Sequence, residues 1–177
     1  MIPYCPSRAS RAARCHRRMQ QIIEEESQAE GWPTFMSFVR EGNFHEDYFE
    51  ATDYHALLFE REDMPTTVQF KVQHSRTFYT WTVQLSCWHM TPDFYAFYHE
   101  VTGHLFVIAG YRLKQMSRSL YDGPNSNQPF YYGPLTDLIE DSVIAWDSRN
   151  NRTLKDETNN HIDVRDCEDD YRWEDYE

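Results

Sequence analysis

Apolar and polar residues alternate along two stretches in the middle of the chain. In residues 66–73 the apolar positions include Val68, and in residues 78–88 they include Trp81. Alternation with a period of two, in β-branched and aromatic residues, is typical of strands that bury one face. A short polar link joins the two stretches. The pattern therefore predicts an antiparallel β-hairpin over residues 66–88, with its aromatic face turned inward.

The N-terminal part of the chain predicts two helices followed by a strand. Residues 8–27 contain spaced alanine, methionine and isoleucine positions that predict a first helix. Residues 34–40 predict a second, short helix, with Pro33 at its start. Residues 54–60 place apolar side chains on one side and predict a strand. Together with the hairpin, this strand gives a three-stranded antiparallel meander.

The second half of the chain predicts further helices and one more strand. A threonine, a proline and an aspartate at positions 91–93 form a helix-start signal, which predicts a helix over residues 92–102. The apolar run that follows predicts a fourth strand over residues 104–113, and continuation of the helix is the alternative. Residues 134–146 place leucine, isoleucine and valine near one face and predict an amphipathic helix.

These elements together predict an α+β fold. N-terminal helices precede an antiparallel sheet of three to four strands, which is built on the 66–88 hairpin, and helices pack on the apolar face of that sheet. We expect three regions along the chain. Residues 1–30 form a basic N-terminal helical arm, residues 31–147 form a single globular α+β domain, and residues 148–177 form an acidic, flexible tail.

Charge is distributed unevenly around a formal net value of −12. Residues 1–23 contain no acidic residue, and their arginines define a basic arm: Arg8, Arg11, Arg14, Arg17 and Arg18. Three interpretations of this arm stay open: a mitochondrial presequence, a nuclear-localisation or RNA-binding segment, or the basic half of a helix that continues into acidic residues. The remaining, strongly acidic chain repels nucleic-acid phosphates and favours a basic protein partner.

The C-terminal residues 156–177 combine acidic and aromatic side chains. They hold ten acidic residues against two arginines, which is typical of a solvated tail. Interspersed aromatic residues are also typical of segments that fold on a partner. The predicted partner-binding residues are Asp169, Asp170, Tyr171, Trp173 and Tyr176.

Targeting and cysteine patterns predict an intracellular protein. No apolar run approaches the roughly 20 residues that a membrane helix needs, and we find no secretory signal. The four cysteines form no C-x-x-C pair, so free thiols in a reducing compartment are expected. The predicted location is cytoplasmic or nuclear, with mitochondrial import as the alternative.

One set of residues has the side chains of a metal or thiol site: Cys87, His89, His99 and His104. Cysteine and histidine suit zinc, which is the one cofactor that the sequence suggests. A zinc-protease helix needs two histidines four residues apart, whereas His99 and His104 are five apart. Cys87 also lies just before the predicted helix start, where a thiol nucleophile is an alternative. Packing of Cys87 in the core is the competing interpretation.

No pattern in the chain identifies a reaction. Glycine-rich phosphate loops, G-x-S-x-G and dinucleotide fingerprints do not occur. We therefore expect a non-catalytic protein-binding or regulatory module with an acidic surface and an acidic-aromatic tail. Two alternatives stay open: a zinc- or thiol-dependent enzyme centred on the cysteine–histidine set, and a small-molecule carrier with an aromatic pocket.

Overall fold

Ten strands and three short helices make up the part of the chain that the computed structural model describes, residues 6–27, 34–123 and 128–155. The helices are α1 (Pro6–Gln21), α2 (Phe44–Glu50) and α3 (Gly110–Gln115), and α1 continues into a π-helical turn, Ile22–Glu26. The strands are β1 (Met36–Glu41), β2 (Tyr54–Leu58), β3 (Pro65–Gln73), β4 (Thr80–Gln84), β5 (Phe94–His99), β6 (His104–Ala109), β7 (Ser119–Tyr121), β8 (Phe130–Pro134), β9 (Ile144–Asp147) and β10 (Arg152–Thr153). Two 3-10 turns, Leu85–Cys87 and Leu135–Leu138, follow β4 and β8.

The strands form two sheets of unequal size. The large sheet has seven strands in the order β1-β2-β3-β5-β6-β9-β10, and the small sheet has three in the order β4-β8-β7. In the large sheet β3 and β5 run parallel, while the other neighbours run antiparallel. A parallel pair needs a crossover connection. Here residues 74–93 supply it, and they pass through the small sheet as β4.

The large sheet is the middle layer, and each of its faces is covered by a different element. On one face α1 and its π-helical turn contribute Met19 and Ile22 to a core with Val68 and Leu105. On the other face Trp81 of the small sheet joins a second core. Its remaining buried members are Val83, Tyr95, Phe97, Phe106, Ile108, Leu113, Leu135, Leu138, Ala145 and Leu154.

The predicted fold class is wrong. The described chain is mostly β, with a mixed seven-stranded sheet and a second sheet, instead of N-terminal helices on an antiparallel sheet of three to four strands. The central strands explain the difference. β5 and β6 are buried on both faces, so their residues form continuous apolar runs instead of alternating patterns.

The 66–88 hairpin is also wrong, although both of its strands exist. β3 pairs with β2 and β5, whereas β4 pairs with β8 in the other sheet. Val68 therefore lies in the core under α1, and Trp81 lies in the core between the sheets. Alternation identifies which side chains share a face, but it does not identify the partner strand.

Three predicted helices are strands or turns in the structure. Residues 34–40 contain β1, residues 92–102 contain β5, and residues 134–146 contain a 3-10 turn and β9. In each case apolar residues three or four apart fit helical spacing, yet the segments are short and rich in aromatic or β-branched residues. Periodicity alone does not separate a buried strand from a helix in such runs.

Other predicted elements are confirmed. The first helix corresponds to α1 with its π-helical turn, and the strand predicted over 54–60 corresponds to β2. The strand predicted over 104–113 is confirmed for its first six residues as β6, whereas residues 110–113 belong to α3. Gly103 has φ of +72°, the left-handed region that favours glycine, in the turn between β5 and β6. The predicted domain limits stay predictions, and α1 packs on the sheet as part of its core.

Candidate functional site

The edge of β3 is where the large sheet opens. β2 pairs with β3 from Pro65 to Val68. Beyond Val68, Asp53 supplies the hydrogen bonds that a neighbouring strand would otherwise make. Its backbone N–H donates to the Val68 carbonyl at 3.0 Å, and its carboxylate accepts the Phe70 N–H at 2.7 Å. The second half of β3 therefore borders a space next to a carboxyl group instead of a neighbouring strand.

A cavity of about 730 Å³ lies beside this edge. Its size falls within the range of about 300–1,000 Å³ that is typical of small-molecule sites. Side chains from α1, α2, β3, the end of β4 and the start of β5 line it together. The lining residues are His16, Asp47, Ala51, Asp53, Gln69, Phe70, Lys71, Val83, Gln84, Ser86, Cys87, His89, Met90, Tyr95 and Gln128.

Gln69 is the most unusual member of the lining. Its side chain is 6% exposed, and its Oε1 has no hydrogen-bond partner among the described residues. A buried acceptor without a donor costs about 1–3 kcal/mol, so native proteins rarely keep one without a reason. Gln69 lies opposite Tyr95 in the parallel pair of β3 and β5. Gln69 therefore places a buried, unpaired acceptor behind the cavity wall, and a bound donor would reach it once the side chain turns.

Two carboxyl groups meet at the α2 side of the cavity. Burial raises the pKa of Asp53 to about 7, and the neighbouring Asp47 carboxylate acts in the same direction. The Phe70 N–H and the charge of Lys71 lower the pKa of Asp53 and partly offset that rise. Asp53 therefore keeps its proton to a higher pH than an ordinary carboxyl group, and in the protonated form it can donate as well as accept a hydrogen bond.

His16 forms the α1 side of the cavity. Its Nδ1 is hydrogen-bonded to the Tyr54 hydroxyl at 2.9 Å, and its ring packs edge-on against Phe70 with centroids 5.1 Å apart. Burial lowers the pKa of His16, so the ring is neutral at physiological pH. A neutral imidazole offers one donor and one acceptor without adding charge to the site.

The wall towards the small sheet is partly apolar. The Tyr95 hydroxyl donates to the Met90 carbonyl at 3.3 Å, and burial raises the pKa of Tyr95. Cys87 and His89 lie on this wall, and Cys87 is a free thiol of intermediate exposure. Two of the four residues predicted for zinc or thiol chemistry therefore border the cavity.

The other two predicted residues lie at the far end of β5 and β6. His99 and His104 are directly opposite in the β5–β6 ladder. His99 Nε2 donates to the Ser75 carbonyl at 3.2 Å, and His104 Nδ1 is hydrogen-bonded to the Tyr79 hydroxyl at 2.6 Å. Burial lowers the pKa of His104 to about 4. The structure therefore divides the four residues into two pairs at opposite ends of β5. Zinc binding by all four stays an untested prediction.

The structure describes the predicted basic arm but not the predicted partner-binding residues of the tail. Arg11 contacts Glu100 and Arg18 contacts Glu26 in the described part of the chain, while Arg14 and Arg17 are exposed on α1. Arg8 also lies within α1. The partner-binding residues predicted in the tail, Asp169, Asp170, Tyr171, Trp173 and Tyr176, lie outside the described residues.

A second cluster joins three parts of the chain away from the cavity. Cys15 Sγ, a ring nitrogen of His74 and a carboxylate oxygen of Glu100 all lie within 4.8 Å of one another. Cys15 is 5% exposed. Burial, together with the charge of Glu100, raises the pKa of Cys15 to about 11, so its thiol is not an activated nucleophile.

The sequence did not predict the central residues of either the cavity or the Cys15–His74–Glu100 cluster. Gln69 and His74 fall in the predicted hairpin, whose pattern places Gln69 on the solvent-facing side and His74 in the polar link. Asp53 is one of many acidic residues in an acid-rich chain, and its carboxyl group stands out only because Phe70 and Asp47 surround it. No spacing along the chain connects residues that converge from α1, α2 and β3.

The class of protein that the fold defines is a β-rich, two-sheet protein with a helix packed on the outer face of the larger sheet. No family model, curated protein or solved structure shows a significant match to this chain. Within the described ranges, no helix has the length and apolar character needed to cross a membrane.

Proposed function

We propose that the protein binds a small polar molecule in the cavity at the edge of β3. The observation that supports this most directly is Gln69, a 6% exposed side chain whose Oε1 lacks a partner among the described residues and which lines a cavity of about 730 Å³. A ligand that donates a hydrogen bond to Oε1, once the Gln69 side chain turns towards the cavity, removes the cost of the unpaired acceptor. The function is that of a carrier or sensor.

The chemistry of the lining favours a ligand with an amino group. Gln69 offers an acceptor, and Asp47 and Asp53 offer carboxyl oxygens on the neighbouring wall. A protonated amine satisfies several acceptors at once and gains from the negative charge. Lys71 lies on the same strand two residues further on and suits an acidic group at the other end of the ligand. A small zwitterion such as an amino acid fits this arrangement.

Aromatic residues contribute the apolar part of the site. Phe70 and Tyr95 line the cavity and provide surfaces for an aliphatic or aromatic ligand body. A carrier with an aromatic pocket was one of the alternatives that the sequence suggested. The aromatic side chains hold the ligand body, and the polar groups provide selectivity, because pockets derive orientation and specificity from a few placed polar side chains.

Thermal-shift measurements with a compound panel test the proposal. The panel contains amino acids and primary amines, each matched with an analogue in which a methyl or hydroxyl group replaces the amine. We expect amine-bearing compounds to raise the Tm of the wild-type protein, because a ligand that binds only the native state stabilises it. Gln69→Met and Asp53→Asn should remove or strongly reduce that shift.

The matched control is Gln73→Met. Gln73 lies on the same strand and faces the same side, but it is outside the cavity lining, and its Oε1 accepts the Ser75 N–H at 3.1 Å. This variant should keep the ligand-induced shift even if its own Tm is lower. A panel without any stabilising compound, or a shift that survives in Gln69→Met, would contradict the proposal.

Protein binding through the acidic tail also stays a proposal. It depends on residues 156–177, and the acidic composition of that segment supports it. Deletion of residues 156–177 should abolish capture of a basic partner and leave the Tm nearly unchanged. Capture that is unaffected by the deletion would exclude the tail.

A further inference from the structure

The cluster of Cys15, His74 and Glu100 draws its side chains from three separate elements. Cys15 belongs to α1, His74 follows β3, and Glu100 begins the turn after β5. The Glu100 N–H donates to the Gln73 carbonyl at 3.0 Å, which fixes the turn beside the end of β3. Because α1 packs across β3 and β5, the Cys15 thiol then faces both of the other side chains.

The three side chains also form one connected polar group. His74 Nδ1 contacts a Glu100 carboxylate oxygen, Oε2. Arg11, one helical turn before Cys15, donates from Nε to Glu100 Oε1 and Oε2 at 3.2 and 3.0 Å. These contacts hold the Glu100 carboxylate in place at the cluster.

We propose that this cluster is a zinc site. A thiolate, an imidazole and a carboxylate are the ligand types that zinc takes in proteins, and three protein ligands with one open position are typical of sites that keep a water. The ligand atoms already lie within 4.8 Å of one another. The side chains of His74 and Glu100 are 38% and 30% exposed, so the ion has a path from solvent.

Arg11 has a defined role in this site. It holds the Glu100 carboxylate from the side of α1, with its Nη2 at 2.9 Å from Oε2. On metal binding one carboxylate oxygen turns to the ion and the other stays with Arg11, which is how outer partners orient ligating carboxylates. The ion would then join α1 directly to the ends of β3 and β5. This site differs from the metal site predicted from the sequence, because its cysteine is Cys15. The predicted ligands Cys87, His89, His99 and His104 take no part in it.

Calorimetric titration of metal-free protein with zinc chloride tests the proposal. The wild-type protein should bind one equivalent, and zinc should raise its Tm because the ion joins separate elements of the native state. Cobalt(II) should give a thiolate-to-metal charge-transfer band. Cys15→Ala and His74→Ala should lose the calorimetric signal and the band, while Arg11→Gln should weaken binding by roughly 10-fold or more.

Cys87→Ala and His89→Ala are the matched controls, since they remove the other described free cysteine and a histidine from the cavity lining. Both should keep zinc affinity and the cobalt band. His74 is partly exposed, so His74→Ala tests the site even if Cys15→Ala unfolds. Absence of zinc binding to the wild-type protein, or binding that persists in His74→Ala, overturns the proposal. The outcome is independent of the cavity, because His74→Ala should keep the response to amines.

Discussion

Polar side chains lie between the two sheets at both ends of β5. At one end they are hydrogen-bonded to protein partners, and at the other end one of the described side chains is unpaired. At the end that leads into the β5–β6 turn, Asp147 is almost fully buried and accepts hydrogen bonds from the backbone N–H groups of Arg149 and Asn150 at 3.1 and 3.2 Å. The Asn150 side-chain amide adds a third at 2.8 Å. At the opposite end Gln69 lies against the cavity, and its Oε1 has no partner in the described ranges.

This difference separates groups that stabilise the fold from groups that are available to a ligand. Asp147, His104 and Tyr79 form a chain of contacts in which each polar side chain has a partner, as buried polar groups in native proteins do. Gln69 and the Asp53–Asp47 pair are arranged around an open volume. The first group connects β6 and β9 with Tyr79, directly before β4, at the turn end of the sheet, and the second indicates where binding energy is available.

The largest expected effect is the loss of the Asp147 carboxylate. Asp147→Ala leaves several donors without their acceptor, so the free energy of unfolding should fall by about 3 kcal/mol. Urea denaturation followed by circular dichroism measures it. The matched control is Asp141→Ala, an exposed carboxylate 4.0 Å from Arg112 Nε, which should change stability by less than about 0.5 kcal/mol. Equal losses in both variants would contradict the special role of Asp147.

A second effect is the pH dependence that Asp53 adds to stability. Its pKa is raised to about 7 in the native state, above the ordinary value of 3.8. Between these values the native state holds a proton that the unfolded chain has lost, so this contribution is complete below about pH 4 and disappears as the pH rises through 7. Relative to Asp53→Asn, the wild-type protein should lose up to about 1.4 kcal/mol per pH unit across that window.

His104 provides a control of opposite sign for the pH experiment. Its pKa is lowered to about 4, so the unfolded chain binds a proton between about pH 4 and 6.5 that the native state does not. The wild-type protein should therefore gain stability relative to His104→Gln as the pH rises through that window. Denaturant unfolding at several pH values measures both differences. The same slope for the two variants would show that the two ends of β5 do not differ as described.

The smallest expected effect is the replacement of Gln69. Gln69→Met removes the unpaired acceptor and keeps a similar side-chain volume, so the free energy of unfolding without ligand should stay the same or rise by up to about 1 kcal/mol. Differential scanning calorimetry of ligand-free protein measures this. A loss of 2 kcal/mol or more would mean that Gln69 has a stabilising partner, and the contrast with Asp147 would no longer hold.

The sequence predicted individual elements better than their arrangement. α1, β2 and β6 follow from local patterns, and alternation correctly marked residues 66–73 and 78–88 as containing strands. The helix predicted over 92–102 failed because β5 is covered on both faces, so its apolar run carries no period of two. The hairpin failed because β3 has β2 and β5 as neighbours, and local alternation does not encode neighbours.

The sites were less predictable than the fold. Cys87 and His89 were candidate residues and do line the cavity, but Gln69 and Asp53 carry no signal in the sequence. A glutamine in an alternating strand is ordinarily solvent-facing. It becomes a buried acceptor here because the small sheet covers that face of the large one.

By itself the sequence determined the acidic charge of the chain, the basic character of its first residues and the side chains that share a face in the two alternating strands, β3 and β4. The tertiary structure decided which strands are neighbours, that β4 crosses into a second sheet, and that α1, α2 and β3 meet around one cavity. The reason is physical. Backbone hydrogen-bonding groups are nearly identical at every residue, so the choice of partner depends on packing between segments that are distant in the chain.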